Sequence, residues 1–145
     1  MNPCQSNNHS DLDTFTSQIA RNTCRQKPTL ICGKERIKDL GIHLKDVFPG
    51  LIEINSKVGI LDFIRERKEI ADPDRVLLVV DLLKNSAIFD DNMRYGQQCD
   101  DYYTAEAERL VFEELPKVKK CHVVVFTDDP SRISERIGWD MLKLN

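Results

Sequence analysis

The run Val76-Leu-Leu-Val-Val-Asp-Leu-Leu83 constrains this chain more than any other segment. It is apolar but for Asp81 and rich in β-branched residues, so it suits a central parallel strand covered by helices on both faces. A strand buried on both faces demands apolar helices before and after it, and the flanking sequence supplies them. Thr29 to Cys32 forms a first strand closed by Gly33. Ile37, Leu40, Leu44, Val47 and Phe48 then recur three or four residues apart, the stripe of a helix with one buried face, and Pro49-Gly50 ends it.

The same alternation continues. Leu51 to Ile54 reads as a short strand, and Ile60, Leu61, Phe63 and Ile64 as the apolar face of a second helix. Asp72-Pro73-Asp74 is turn chemistry ahead of the central strand. Tyr103 to Leu115 carries Ala107, Leu110, Val111 and Leu115 at helical spacing, stopped by Pro116. His122 to Thr127 is another buried strand. Pro130, Ile133, Ile137 and Met141 predict a last helix. The pattern predicts an α/β domain over residues 28–145: a three-layer, doubly wound, mainly parallel sheet, small-GTPase-like or flavodoxin-like. Residues 1–27, rich in Asn, Ser, Gln and Thr, read as a flexible polar N-terminal tail, mobile or only loosely helical around Leu12 to Ile19.

Composition narrows the function. With 145 residues the chain builds one core, and a net charge of −3 argues against a nucleic-acid binder with a broad basic surface. No direct sequence-specific nucleic-acid binding is expected. No apolar run reaches membrane-spanning length, and the first residues lack the features of a secretory signal. Five cysteines without a CxxC pair fit a reducing, intracellular compartment, and three scattered histidines predict no metal site.

Ligands of doubly wound sheets bind beyond the carboxyl ends of the strands. After the first strand stands Gly33-Lys34-Glu35-Arg36, where a P-loop would need two glycines and a Lys-Ser/Thr pair. One glycine cannot wrap phosphates in backbone amides, no hydroxyl is present for magnesium, and Glu35 would set a carboxylate beside any phosphate. No DxxG turn ends a strand, and Thr127-Asp128-Asp129-Pro130 keeps only an acid where a guanine-reading motif would stand.

Other chemistries meet similar gaps. A receiver domain could use Asp81 and Thr127, but Lys34-Glu35 is a poor acidic pair. The plain reading of Asp81 is a strand-end acid capping a loop, and that of Thr127 a helix N-cap. An SGNH hydrolase needs a serine after the first strand and a late Asp-x-x-His, but Gly33-Lys34-Glu35 holds no nucleophile and no histidine follows His122. Cys99 has no nearby histidine to activate it. No catalytic residue and no cofactor are expected.

Three segments together resemble the centromere protein M family, whose members have a small-GTPase-like fold without nucleotide motifs. They are Thr29-Leu-Ile-Cys-Gly-Lys-Glu35 with its helix, Pro73-Asp-Arg-Val-Leu-Leu-Val-Val-Asp-Leu-Leu-Lys-Asn-Ser86, and Lys117-Val-Lys-Lys-Cys-His-Val-Val-Val-Phe-Thr127. The resemblance spans roughly residues 28–132; the segment 97–107 is longer and more polar than the family leads one to expect, and the sequence stops where the family continues. It implies a non-catalytic scaffold subunit of the inner kinetochore, nuclear, centromere-associated and assembling with centromere proteins H, I and K. Without that resemblance the expected place is the cytoplasm.

A fold without a site works through a face, and Phe89, Tyr95, Tyr102, Tyr103 and Trp139 are the candidate partner-binding residues. Two other readings stay open. One is a receiver-like or nucleotide-binding regulatory domain with a residual ligand site at Lys34, Asp81, Thr127 and Asp128. The other is an inactive SGNH-like RNA-binding module, which would need a basic patch. Arg65-Glu-Arg-Lys-Glu69 reads instead as a solvated helix face.

Overall fold

A computed structural model describes residues 3–33, 35–83, 105–128 and 138–144, with side chains from residue 11 onward. The first helix, α1, spans Pro3–Cys24, followed by β1 at Thr29–Gly33, α2 at Ile37–Val47, β2 at Ile52–Ile54 and α3 at Lys57–Glu69. Strand β3 is Val76–Leu82. A helical segment over residues 105–117, α4, runs through a π turn at Leu110–Glu114 and closes in a 3-10 turn at Leu115–Lys117. Strands β4, Cys121–Thr127, and β5, Asp140–Leu144, complete the described chain.

The five strands form one all-parallel sheet in the order β2-β3-β4-β1-β5. Strand β3 is the segment that the apolar run predicts, with Leu78 and Val80 fully buried and Val79 only 2% exposed. Its alternation divides the core. Leu77 and Val79 pack with Ile37, Leu40 and Leu44 of α2 and Ile19 of α1. Leu78, Val80 and Leu82 pack with Ile60 and Phe63 of α3 and Leu110, Val111 and Leu115 of α4. This is the expected three-layer arrangement. The connection from β1 to β2 runs one way across the sheet and the later ones run back, so right-handed crossovers put α2 and α3 on opposite faces.

Local chemistry sets the helix limits. Ser56 caps α3 by accepting the Gly59 N–H at 3.0 Å. Pro116 lies in the 3-10 turn that ends α4, where its missing N–H is harmless.

Two expectations are corrected. Residues 11–24 are not a flexible tail but helix, seated on the sheet by Ile19, 1% exposed. Polar residues hold it there: Asn22, also 1% exposed, donates to Thr29 Oγ1 at 2.9 Å and to Asp140 Oδ2 at 2.8 Å. The helix ends with Gln26 at φ 58°, where Gln26 N–H reaches Thr23 O at 3.2 Å and Lys27 N–H reaches Asn22 O at 2.8 Å. That bond pair is a Schellman cap, with glutamine where glycine is usual. Met141, assigned to a last helix by its spacing from Ile133 and Ile137, lies instead in β5, a fifth strand paired along β1. Residues 129–137, where the rest of that helix was expected, lie outside the described residues.

Candidate functional site

Strands β1 and β4 are neighbours, but β1 leads back toward β2 while β4 leads past β1 to β5. Their carboxyl ends flank the point where the chain reverses direction across the sheet, the place where such folds hold ligands. Beside that place, at Gly33, β5 and α2 come close to β1. A methyl group on Gly33 would lie 3.1 Å from the Leu144 carbonyl oxygen, 3.3 Å from Leu144 Cβ and 3.6 Å from Ile37 Cβ. Leu144 and Ile37 are both buried. Gly33 therefore serves the close approach of β5 and α2 to β1.

Helix α2 starts without a side-chain cap. Its N-cap residue is Arg36, whose guanidinium pairs with Asp11 of α1 at 3.2 Å. Lys34 lies outside the described residues.

The remaining strand-end residues are divided by the sheet. Asp81 continues the Leu77–Val79 side of β3 and opens into a cavity of about 190 Å³ beneath α2, shared with Lys38, Glu53 and Phe126. Thr127, 1% exposed, continues the Val123–Val125 side of β4 toward α3. One ligand cannot touch both side chains from one face. Asp128 remains near enough to act electrostatically on Asp81.

Asp81 itself is engaged with its own turn. Its Oδ1 accepts the Leu83 N–H at 2.8 Å, closing the strand end as an Asx turn. Burial pushes its carboxyl above the usual range; the Leu83 N–H opposes this, the Glu53 and Asp128 carboxylates reinforce it and Lys38 opposes it. Glu53 is occupied by Lys45 at 2.7 Å. The sequence reading missed these companions of Asp81. Lys38 and Lys45 are two turns apart on α2 and so share a face, but only the position of β2 brings Glu53 to it.

A receiver-type site needs the ends of the first and third strands side by side, as in the 2-1-3-4-5 order of flavodoxin-like folds. Here β4 separates β1 from β3, so their ends stand about 10 Å apart. That strand order departs from the flavodoxin-like one, and with Asp81 and Thr127 on opposite faces it does not gather Asp81, Thr127 and Asp128 into one ligand site.

Of the candidate partner-binding aromatics, Trp139 is half-buried, edge-on to Phe112 with ring centroids 5.1 Å apart and planes at 61°. It packs within the domain. Phe89, Tyr95, Tyr102 and Tyr103 lie outside the described residues. No described helix is long and apolar enough to cross a membrane.

No family model matches this chain, and no curated protein matches it.

Proposed function

We propose that this chain is a non-catalytic interaction domain, a parallel α/β fold that works through its surfaces. The observation that carries this reading is the end of β1, where Leu144 of β5 and Ile37 of α2 crowd Gly33 and the sequence that follows lacks the second glycine and the Lys-Ser/Thr pair of a phosphate-binding loop. The strand-end carboxylate supports it too, because Asp81 holds the Leu83 amide. Calorimetric titration with GTP and with ATP, each with magnesium, tests the proposal. We expect no heat of binding, and micromolar affinity for either nucleotide would overturn the reading.

The resemblance of the three strand-bearing segments to the centromere protein M family takes the proposal further, to a subunit of the inner kinetochore in the nucleus. Its partners would be centromere proteins H, I and K. Affinity purification from cells with mass spectrometry tests that step separately, and recovery of a different set of partners would remove it while leaving the interaction domain in place.

A further inference from the structure

A groove lies between the second half of α3 and the turn that leads from α4 into β4, at the amino-terminal end of the sheet and far from Gly33. Its cavity measures about 400 Å³. Ile64 and Val118 form the floor and pack into the core beneath the sheet, while Ile70 stands 47% exposed at the edge. Around this apolar floor stand Arg67, Lys68, Lys117 and Lys119, four cations against one carboxylate, Glu114. That carboxylate is taken by Arg109 at 3.1 Å.

The positive charge here is held in place. Arg67 Nη2 donates to the carbonyl of Asp74 at 2.6 Å and to those of Lys119 and Lys120 at 3.4 and 3.3 Å. Its guanidinium lies 5.7 Å over the Phe63 ring. These contacts fix the side chain and tie α3 to the basic turn, yet none of the acceptors carries a charge. Lys68, Lys117 and Lys119 form no salt bridge among the described residues. In a chain whose net charge is −3, this is a local concentration of opposite sign.

We propose that the groove docks an acidic, amphipathic segment of a partner protein, its apolar side chains on Ile64, Ile70 and Val118 and its carboxylates on the rim lysines and Arg67. An apolar floor inside a cationic rim is complementary to a helix with one apolar face and acidic flanks. A nucleic-acid backbone would leave that floor unused and would meet an acidic protein beyond the rim. The inference rests on the reading of the chain as an interaction domain and assigns that domain a surface.

The test is fluorescence anisotropy on the full chain, with a labelled helical peptide carrying Leu and Phe on one face and Glu elsewhere. A labelled single-stranded oligonucleotide and the same peptide with Lys for Glu serve as comparisons. We expect the acidic peptide to bind and added salt to weaken it. Lys68→Glu with Lys117→Glu and Lys119→Glu should weaken it by about tenfold or more, since each rim contact contributes a fraction of a kcal/mol. Ile70→Ser should weaken binding but preserve its salt dependence, and Lys38→Glu with Lys45→Glu should leave it unchanged. Unaltered melting curves would show that these exposed substitutions preserve the fold. Failure of the acidic peptide to bind, equal binding by the triple variant, or tighter groove-dependent binding of the oligonucleotide would overturn the proposal. Such a failure with GTP and ATP still unbound removes the groove alone, whereas nucleotide binding overturns the interaction-domain reading itself.

Discussion

The Asn22 side-chain amide donates to the Asp140 carboxylate at 2.8 Å, joining the first helix to the last strand across 118 residues of chain. The same amide donates to Thr29 Oγ1 at 2.9 Å, and Gln18 Nε2 adds a bond to Asp140 at 3.1 Å. Asp140 N–H in turn donates to the Pro28 carbonyl at 2.9 Å. The group forms a polar lock between α1, β1 and β5. Asn22→Leu leaves Thr29 and Asp140 short of a donor in a buried place and should cost about 1–3 kcal/mol. Urea denaturation measures it, and an unchanged midpoint would show that α1 is not held by this lock.

Gln26 sits at φ 58° in the cap of α1, a conformation that strains any residue with a Cβ. Gln26→Gly should therefore stabilise the domain by about 0.5–1 kcal/mol after the entropic penalty of glycine. Gln26→Val should destabilise it. Melting temperatures of the two variants should move in opposite directions from the parent.

Val79 is 2% exposed at the middle of β3, between Glu53 of β2 and Val124 of β4. Val79→Asp buries a charge with no partner and should unfold the domain. Circular dichroism would show the loss directly. A melting temperature within a few degrees of the parent would contradict the central position of β3.

His122 is 7% exposed, and its Nε2 has no hydrogen-bond partner among the described residues. Burial, aided by Arg75, holds its pKa below the ordinary 6.5. The unfolded chain thus binds this proton more readily than the native one. The contribution of neutral His122 to stability is intact above the ordinary value and is lost as pH falls below it toward the native pKa. Asp81, with its pKa raised, acts in the opposite sense at lower pH. His122→Leu should relieve the unpaired nitrogen, gaining on the order of 1 kcal/mol near neutrality. Urea midpoints at about pH 7 and pH 5.5 should then differ less for the variant than for the parent.

Burial pushes the Cys121 thiol up to about 12, with Arg67 pulling weakly the other way. Cys24 is exposed. Iodoacetamide at about pH 8 should alkylate Cys24 in the native protein and spare Cys121, because the thiolate is the reactive form. In urea both should react. Mass spectrometry of digested peptides distinguishes them, and native labelling of Cys121 would show that β4 opens readily.

The amino-acid order alone determined the layered architecture, through short-range pattern. Leu77 to Val80 suited a strand with two covered faces, and the stripe of Ile37, Leu40 and Leu44 a helix with one. These signals are local because each records the periodicity of its own element. Asp81 as a loop-closing acid was legible for the same reason, since its partner is two residues away.

What the tertiary structure decided rests on pairings between distant segments. Helix α1 shows only a weak apolar stripe, and it is ordered through Ile19 and through Asn22, whose partner Asp140 is 118 residues away. Met141 continues the spacing of Ile133 and Ile137, so local period pointed to a helix, but pairing with β1 made it a strand. Asp81 and Thr127 seemed to share a site until strand order and alternation put them on opposite faces. The basic groove joins Arg67 and Lys68 to Lys117 and Lys119, which the sequence showed only as a solvated helix face and a basic turn. Periodicity is written within a segment, whereas strand order and the meeting of remote side chains follow from burying all the segments at once.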